Sequence, residues 1–147
     1  MSVLQDHADA FLALLRAAPP ASPAPSLVVY DGEVPPGPEV AYALIYFWFE
    51  TPDGLVAPDA VSLVLDSDVI DAWANVHSVG ADPQAARAAR AVATRVRAGV
   101  LNKTLTIPGR SCNPIRQRTS QPPHRDEDTG PTVMDQVDEY SWRSFPA

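Results

Sequence analysis

Cysteine is almost missing from this sequence: Cys112 is the only one in 147 residues. A lone thiol excludes an internal disulfide framework and any multi-cysteine metal centre built within one chain. Long apolar runs are missing too. None approaches the roughly 18 residues of a membrane span, and the first residues lack the basic start of a signal peptide. A soluble protein of a reducing cytoplasm is the expectation. There is no glycine-rich phosphate loop, no Gly-x-Ser-x-Gly elbow, no His-x-x-x-His and no Cys-x-x-Cys. The sequence signatures of nucleotide binding, serine-hydrolase catalysis and zinc ligation are therefore absent.

What is present fits one folded domain over residues 1–147. The chain is 46% hydrophobic, and a domain of this length buries roughly 70% of its unfolded surface. Its 16 prolines exceed the usual share of about 5% twofold, which predicts long irregular connections. The net charge of −7 disfavours a general nucleic-acid binder. The charges are also segregated. Asp31 to Asp71 holds nine acids and no base, whereas Asp82 to Arg118 holds eight bases and one acid.

Hydrophobic periodicity outlines the elements. Residues 2–17 read as a helix, with a Ser2/Gln5 capping box and a stripe of Leu4, Ala8, Phe11, Leu12 and Leu15. The proline-rich stretch 18–25 cannot continue it. A short strand is expected at 26–30. The strongest strand signal is 41–50, where Ala43, Ile45, Phe47 and Phe49 point one way and Tyr42, Leu44, Tyr46 and Trp48 the other. Residues 61–65 read as a brief strand or part of a long loop, and a further strand follows at 69–79 with Ile70, Ala72, Ala74 and Val76 inward. Asp82 with Pro83 predicts the start of a second helix. Its apolar side is Ala85, Ala89, Val92, Ala93, Val96 and Val100, and its polar side Arg87, Arg90, Thr94 and Arg97. Residues 105–108 look strand-like, 109–131 reads as a long polar loop, and 132–144 alternates as a last strand. The expected fold is α/β (α+β): a mixed, mainly antiparallel 4–5-stranded sheet with two helices packed on one face. Two helices cannot cover both faces, so Tyr42, Leu44, Tyr46 and Trp48 need another partner, and a second subunit is the economical one.

Candidate chemistry is thin. His7, His77 and His124 do not fall at metal-ligand spacing. The cluster His124-Arg125-Asp126-Glu127-Asp128 could serve acid–base chemistry or Mg²⁺, but reads better as a solvated loop or a surface for a basic partner. Cys112 has no adjacent histidine to activate it. The arginine side of the second helix could grip phosphates, although an acidic protein partner suits this chain better. No catalytic, cofactor or metal residue is expected. The expected interface residues are Tyr42, Tyr46 and Trp48 on the strand, Arg87, Arg90 and Arg97 on the helix, and Arg116, Arg118, Arg125, Asp126 and Asp128 in the loop.

Several segments, in order, carry a resemblance over nearly the whole chain. They are Val29-Tyr30-Asp31-Gly32-Glu33-Val34-Pro35 leading to a strand with Tyr46, and Val76-His77-Ser78-Val79-Gly80-Ala81 before a basic Ala/Arg helix. Pro108-Gly109-Arg110-Ser111-Cys112, Arg125-Asp126-Glu127-Asp128 and Val137-Asp138-Glu139-Tyr140 complete the set. Together they resemble the tail terminator proteins of long-tailed (siphovirus) actinobacterial phages. The stretch from Glu50 to Asp68 departs from the pattern, being acidic and apolar where a more polar connection belongs. The resemblance implies a non-enzymatic virion protein without cofactor, made in the host cytoplasm. It would form a homohexameric ring that caps the tail tube and joins it to the neck. The implied partners are itself, the major tail tube protein and the head–tail connector. The genome would pass through the lumen without specific nucleic-acid binding, and no membrane is involved. A neck connector subunit of the same kind of phage is the alternative. A small hydrolase using His124 and a nucleic-acid module using the arginine helix stand further off.

Overall fold

A computed structural model describes residues 3–18, 26–37, 41–51, 69–81, 83–126 and 132–147. They form an α+β fold of two helices and one mixed sheet, in the order α1 (Val3–Arg16), β1 (Val29–Asp31), β2 (Ala41–Glu50), β3 (Ile70–Ala81), α2 (Ala85–Val100), β4 (Arg110–Cys112), β5 (Arg116–Ser120), β6 (His124–Asp126) and β7 (Val133–Pro146). Among these residues no helix is long and apolar enough to cross a membrane.

β2, β3 and β7 make the antiparallel centre of the sheet, with β1 added in parallel at the β2 edge. The registers align rows across the three long strands: Ile45, Val76 and Asp138; Phe47, Ala74 and Tyr140; Phe49, Ala72 and Trp142. These rows face the helices. In α1 the stripe Leu4, Ala8, Phe11, Leu12 and Leu15 is buried as its spacing requires. Phe11 seats the helix, stacking on Trp142 at 5.2 Å and meeting Phe47 edge-on at 5.6 Å. Burying each such side chain is worth about 1.5–3 kcal/mol. α2 presents mostly alanine and valine inward, and these small side chains let it lie close to β3. The approach is closest at Gly80, where a Cβ would fall 2.6 Å from the Ala89 nitrogen and also against the Ala85 carbonyl. Glycine is required there by space rather than by backbone angle.

In its described part, 109–126, the expected loop of 109–131 carries three strands. β4, β5 and β6 lie end to end along the free edge of β7, each antiparallel to it. The Asn113 and Gln121 amides donate to the Arg143 and Val137 carbonyls and carry the pairing across the gaps. Pro114 and the pair Pro122–Pro123 fall in those gaps. Proline cannot supply a ladder hydrogen bond, so it is tolerated here because this is an edge strand. Along its path β1-β2-β3-β7-β4 the sheet is five strands wide, and β5 and β6 are further strands on the same β7 edge, seven in all.

Other differences are local. α2 begins at Ala85 behind Gln84, which takes the left-handed conformation (φ 63°), so Pro83 is not its first residue. Residues 105–108 are not a strand; Leu105 and Ile107 are buried from an irregular segment. Gln5 donates to Asp9 at 2.8 Å, and the capping box expected of it involves Ser2, outside the described residues. Asp82, the strand or loop expected at 61–65, and Asp128 also lie outside them.

Candidate assembly interface

No described element covers the second face of the sheet. Period-two alternation puts Tyr42, Leu44, Tyr46 and Trp48 of β2 there, opposite Val79, His77, Asn75 and Trp73 of β3. The aromatic rings organise as cross-strand pairs. Trp48 and Trp73 stack in parallel, 5.6 Å apart with 2° between planes. Tyr46 meets His77 edge-on at 5.6 Å, and Tyr42 meets Tyr30 of β1 at 5.3 Å. Such pairs contribute about 0.5–1.5 kcal/mol beyond area burial. Tyr46 remains 44% exposed, the most accessible large apolar side chain described. Along the same face His77 bonds Asp135 at 2.7 Å, while Arg143 grips Asp71 through two bonds of 2.6 and 2.8 Å.

Beside the tryptophan pair the face dips into a groove of about 550 Å³, lined by Asp71, Trp73, Asn113, Arg116, Arg118 and Arg143 among others. Arg116 and Arg118 reach it from β5. Arg118 Nε donates to Ser141 Oγ at 2.6 Å, and Arg116 donates to Asn102 Oδ1. These acceptors are neutral, so they orient the guanidinium groups without matching their charge. The Trp73 indole N–H is buried and has no acceptor among the described residues.

The described residues among those expected at an interface separate into four groups. Tyr42, Tyr46, Trp48, Arg116 and Arg118 belong to the uncovered side, the arginines at its β5 margin. Arg87 and Arg90 are exposed on α2, which packs on the opposite face of the sheet. Arg97 does not point outward with them: it is half-buried and its Nε donates to Gln117 Oε1 at 3.0 Å. Gln117 in turn donates to the fully buried Asp138, which also accepts from Gln136. Arg97 is thus part of a polar network between α2 and the sheet. Arg125 is exposed on β6, and Asp126 lies in the same strand. Sequence reasoning passed over Trp73, Asn113 and Arg143. The alternation of β3 carried the signal for Trp73, since naming Ala72 and Ala74 as inward puts Trp73 outward.

Burial pushes the Cys112 thiol up, with a Ser144 hydrogen bond and the Arg110 charge opposing, which disfavours the thiolate. His7 is fully buried; desolvation lowers its pKa, and Nδ1 bonds the Val3 carbonyl at 2.6 Å. Among the described residues no group of three or more His, Cys, Asp or Glu side chains could hold a metal ion.

No family model matches this sequence. No curated protein matches it either. Solved structures do. One, which carries a sequence identifier in place of a name, superposes with a TM-score of 0.64 at 16% identity, covering 97% of each chain. Another is a chain from the virion of a native gene transfer agent particle, with a TM-score of 0.54 at 18% identity, covering 97% of this chain and 92% of that one. Both show a shared fold across nearly the full length.

Proposed function

We propose that this chain is a structural subunit of a phage-like virion, and within it a tail terminator whose copies close into a hexameric ring between the tail tube and the neck connector. The observation that carries the reading is the sheet face without helical cover, where Tyr42, Tyr46, Trp48 and Trp73 form paired aromatics. Association is the ordinary way to cover a patch of that kind. The whole-length likeness to a chain of a gene transfer agent virion supports a virion setting. The segregation of acid and base along the sequence suits a head-to-tail contact, in which unlike surfaces of successive copies meet around a closed rotation. On this reading the chain works by shape and contact, without catalysis or cofactor. It joins the tube protein on one ring face and the connector on the other.

Native mass spectrometry of the protein, alone and with the tail tube protein, tests the reading. A hexamer in at least one condition is expected. Trp48→Asp should lower assembly more than it lowers the melting temperature, because Trp48 is half-buried in the subunit and a central aromatic of an interface commonly contributes about 2 kcal/mol or more. A strict monomer in both conditions overturns the ring.

A further inference from the structure

The two margins of the sheet carry opposite charge. At the β1 margin Asp31 and Glu33 are exposed around Gly32, and neither makes an ion pair among the described residues. Gly32 has φ 68° and open space where a Cβ would stand, and its N–H donates to the Ile45 carbonyl, which holds this exposed turn against the end of the sheet. At the β5 margin, four strand steps or about 19 Å away, Arg116, Arg118 and Arg143 surround the groove beside Trp73. Asp71 is the one carboxylate among the groove's lining residues, and Arg143 holds it bidentately. Three guanidinium groups against one carboxylate leave two positive charges, and the exposed turn carries two negative ones.

We infer that the groove takes the turn Asp31-Gly32-Glu33 of a second copy of this chain. The inference rests on the ring reading and names the surfaces that meet in it. A groove of about 550 Å³ is in the size range that encloses a compact ligand. Arg116 and Arg118, already oriented by Asn102 and Ser141, keep further N–H groups for paired bonds to carboxylates. Because donor and acceptor margins lie on opposite sides of one sheet, each copy offers one of each. The contact is heterologous and repeats until the circle closes.

The test is charge exchange, read by native mass spectrometry under whichever condition assembles the unaltered protein. Arg116→Glu with Arg118→Glu should weaken association by about tenfold or more, and so should Asp31→Arg with Glu33→Arg. The chain carrying all four changes should assemble again, since the reversed margins still match. Circular dichroism and melting of each variant report folding. Should the reversals unfold the subunit, Arg116→Gln with Arg118→Gln decides in their place, with the same loss expected. If the arginine variants form rings normally, the inference falls while the ring reading stands. It falls equally if both pairs impair assembly and the fourfold variant does not recover, or if the groove instead retains duplex DNA while rings are unaffected. An unaltered protein that never assembles removes the ring reading itself, and this contact with it.

Discussion

Replacing Gly80 with alanine should loosen the seat of α2 on the sheet. The backbone of Gly80 is one that any residue adopts, so the added methyl meets only a problem of space. Its Cβ would lie 2.6 Å from the Ala89 nitrogen and 2.7 Å from the Ala88 Cβ, and against the Ala85 carbonyl oxygen. Comfortable contacts lie near 3.5–4.0 Å, so the start of α2 must rise by about 1 Å. The obstructing atoms are backbone and an alanine Cβ, and no rotamer change removes them. Overpacking of this kind costs about 1–3 kcal/mol. The stiffer unfolded chain returns about 0.4–1 kcal/mol. A net loss of about 1–2 kcal/mol corresponds to a fall in Tm of about 2–8 °C for a chain of this length. Thermal and urea unfolding followed by circular dichroism measure it directly. A variant that melts within about a degree of the unaltered protein would refute the close helix–strand approach.

Two pH effects follow from buried titratable groups. Burial pushes the Tyr140 phenol up to about 12, the Asp138 charge adding and Arg97 opposing. An unfolded tyrosine ionises near pH 10; stability is therefore complete below that and declines toward pH 12, by about 2–3 kcal/mol in all. Urea unfolding of Tyr140→Phe should show a flatter alkaline limb than the unaltered protein, and equal slopes would discount the effect. For His7 desolvation favours the neutral ring, so its contribution is complete above the ordinary histidine range near pH 6.5 and is lost as pH falls below it. His7→Leu should lessen the acid-side decline; an unchanged acid limb would mean the ring is accommodated when charged.

The elements with a strong side-chain signature were legible. β2 ran over 41–50 as its alternation required, both helices buried the expected stripes, and Tyr140 and Trp142 sit in the last strand. β4, β5 and β6 were not, because an edge strand needs backbone partners more than a buried face. Arg116-Gln117-Arg118-Thr119-Ser120 has no apolar alternation, and its pairing is supplied by β7, distant in sequence. Charges on such an edge also discourage stray pairing, so polarity here is compatible with a strand. The misplacement of Arg97 has a similar origin. The helical wheel puts it with Arg90, but Gln117 arrives from β5 and takes it inward. The uncovered aromatic face was readable from counting helices against sheet faces. The groove was not, because it needs β3, β5 and β7 side by side.

The last element in the chain is also the one on which the sheet depends. β7 separates β3 from β4, β5 and β6, and each of these pairs with it. During synthesis β2 and β3 can form their hairpin early, but one edge of β3 stays bare and the segment 110–126 has nothing to zip against until β7 emerges. Sheets joined by such distant pairings complete slowly. An incomplete nascent chain consequently lacks the margin that carries Arg116 and Arg118, even while its aromatic hairpin is already formed. On the proposed ring reading, docking through that margin would wait until β7 has emerged, so copies still lacking it would stay out of the assembly.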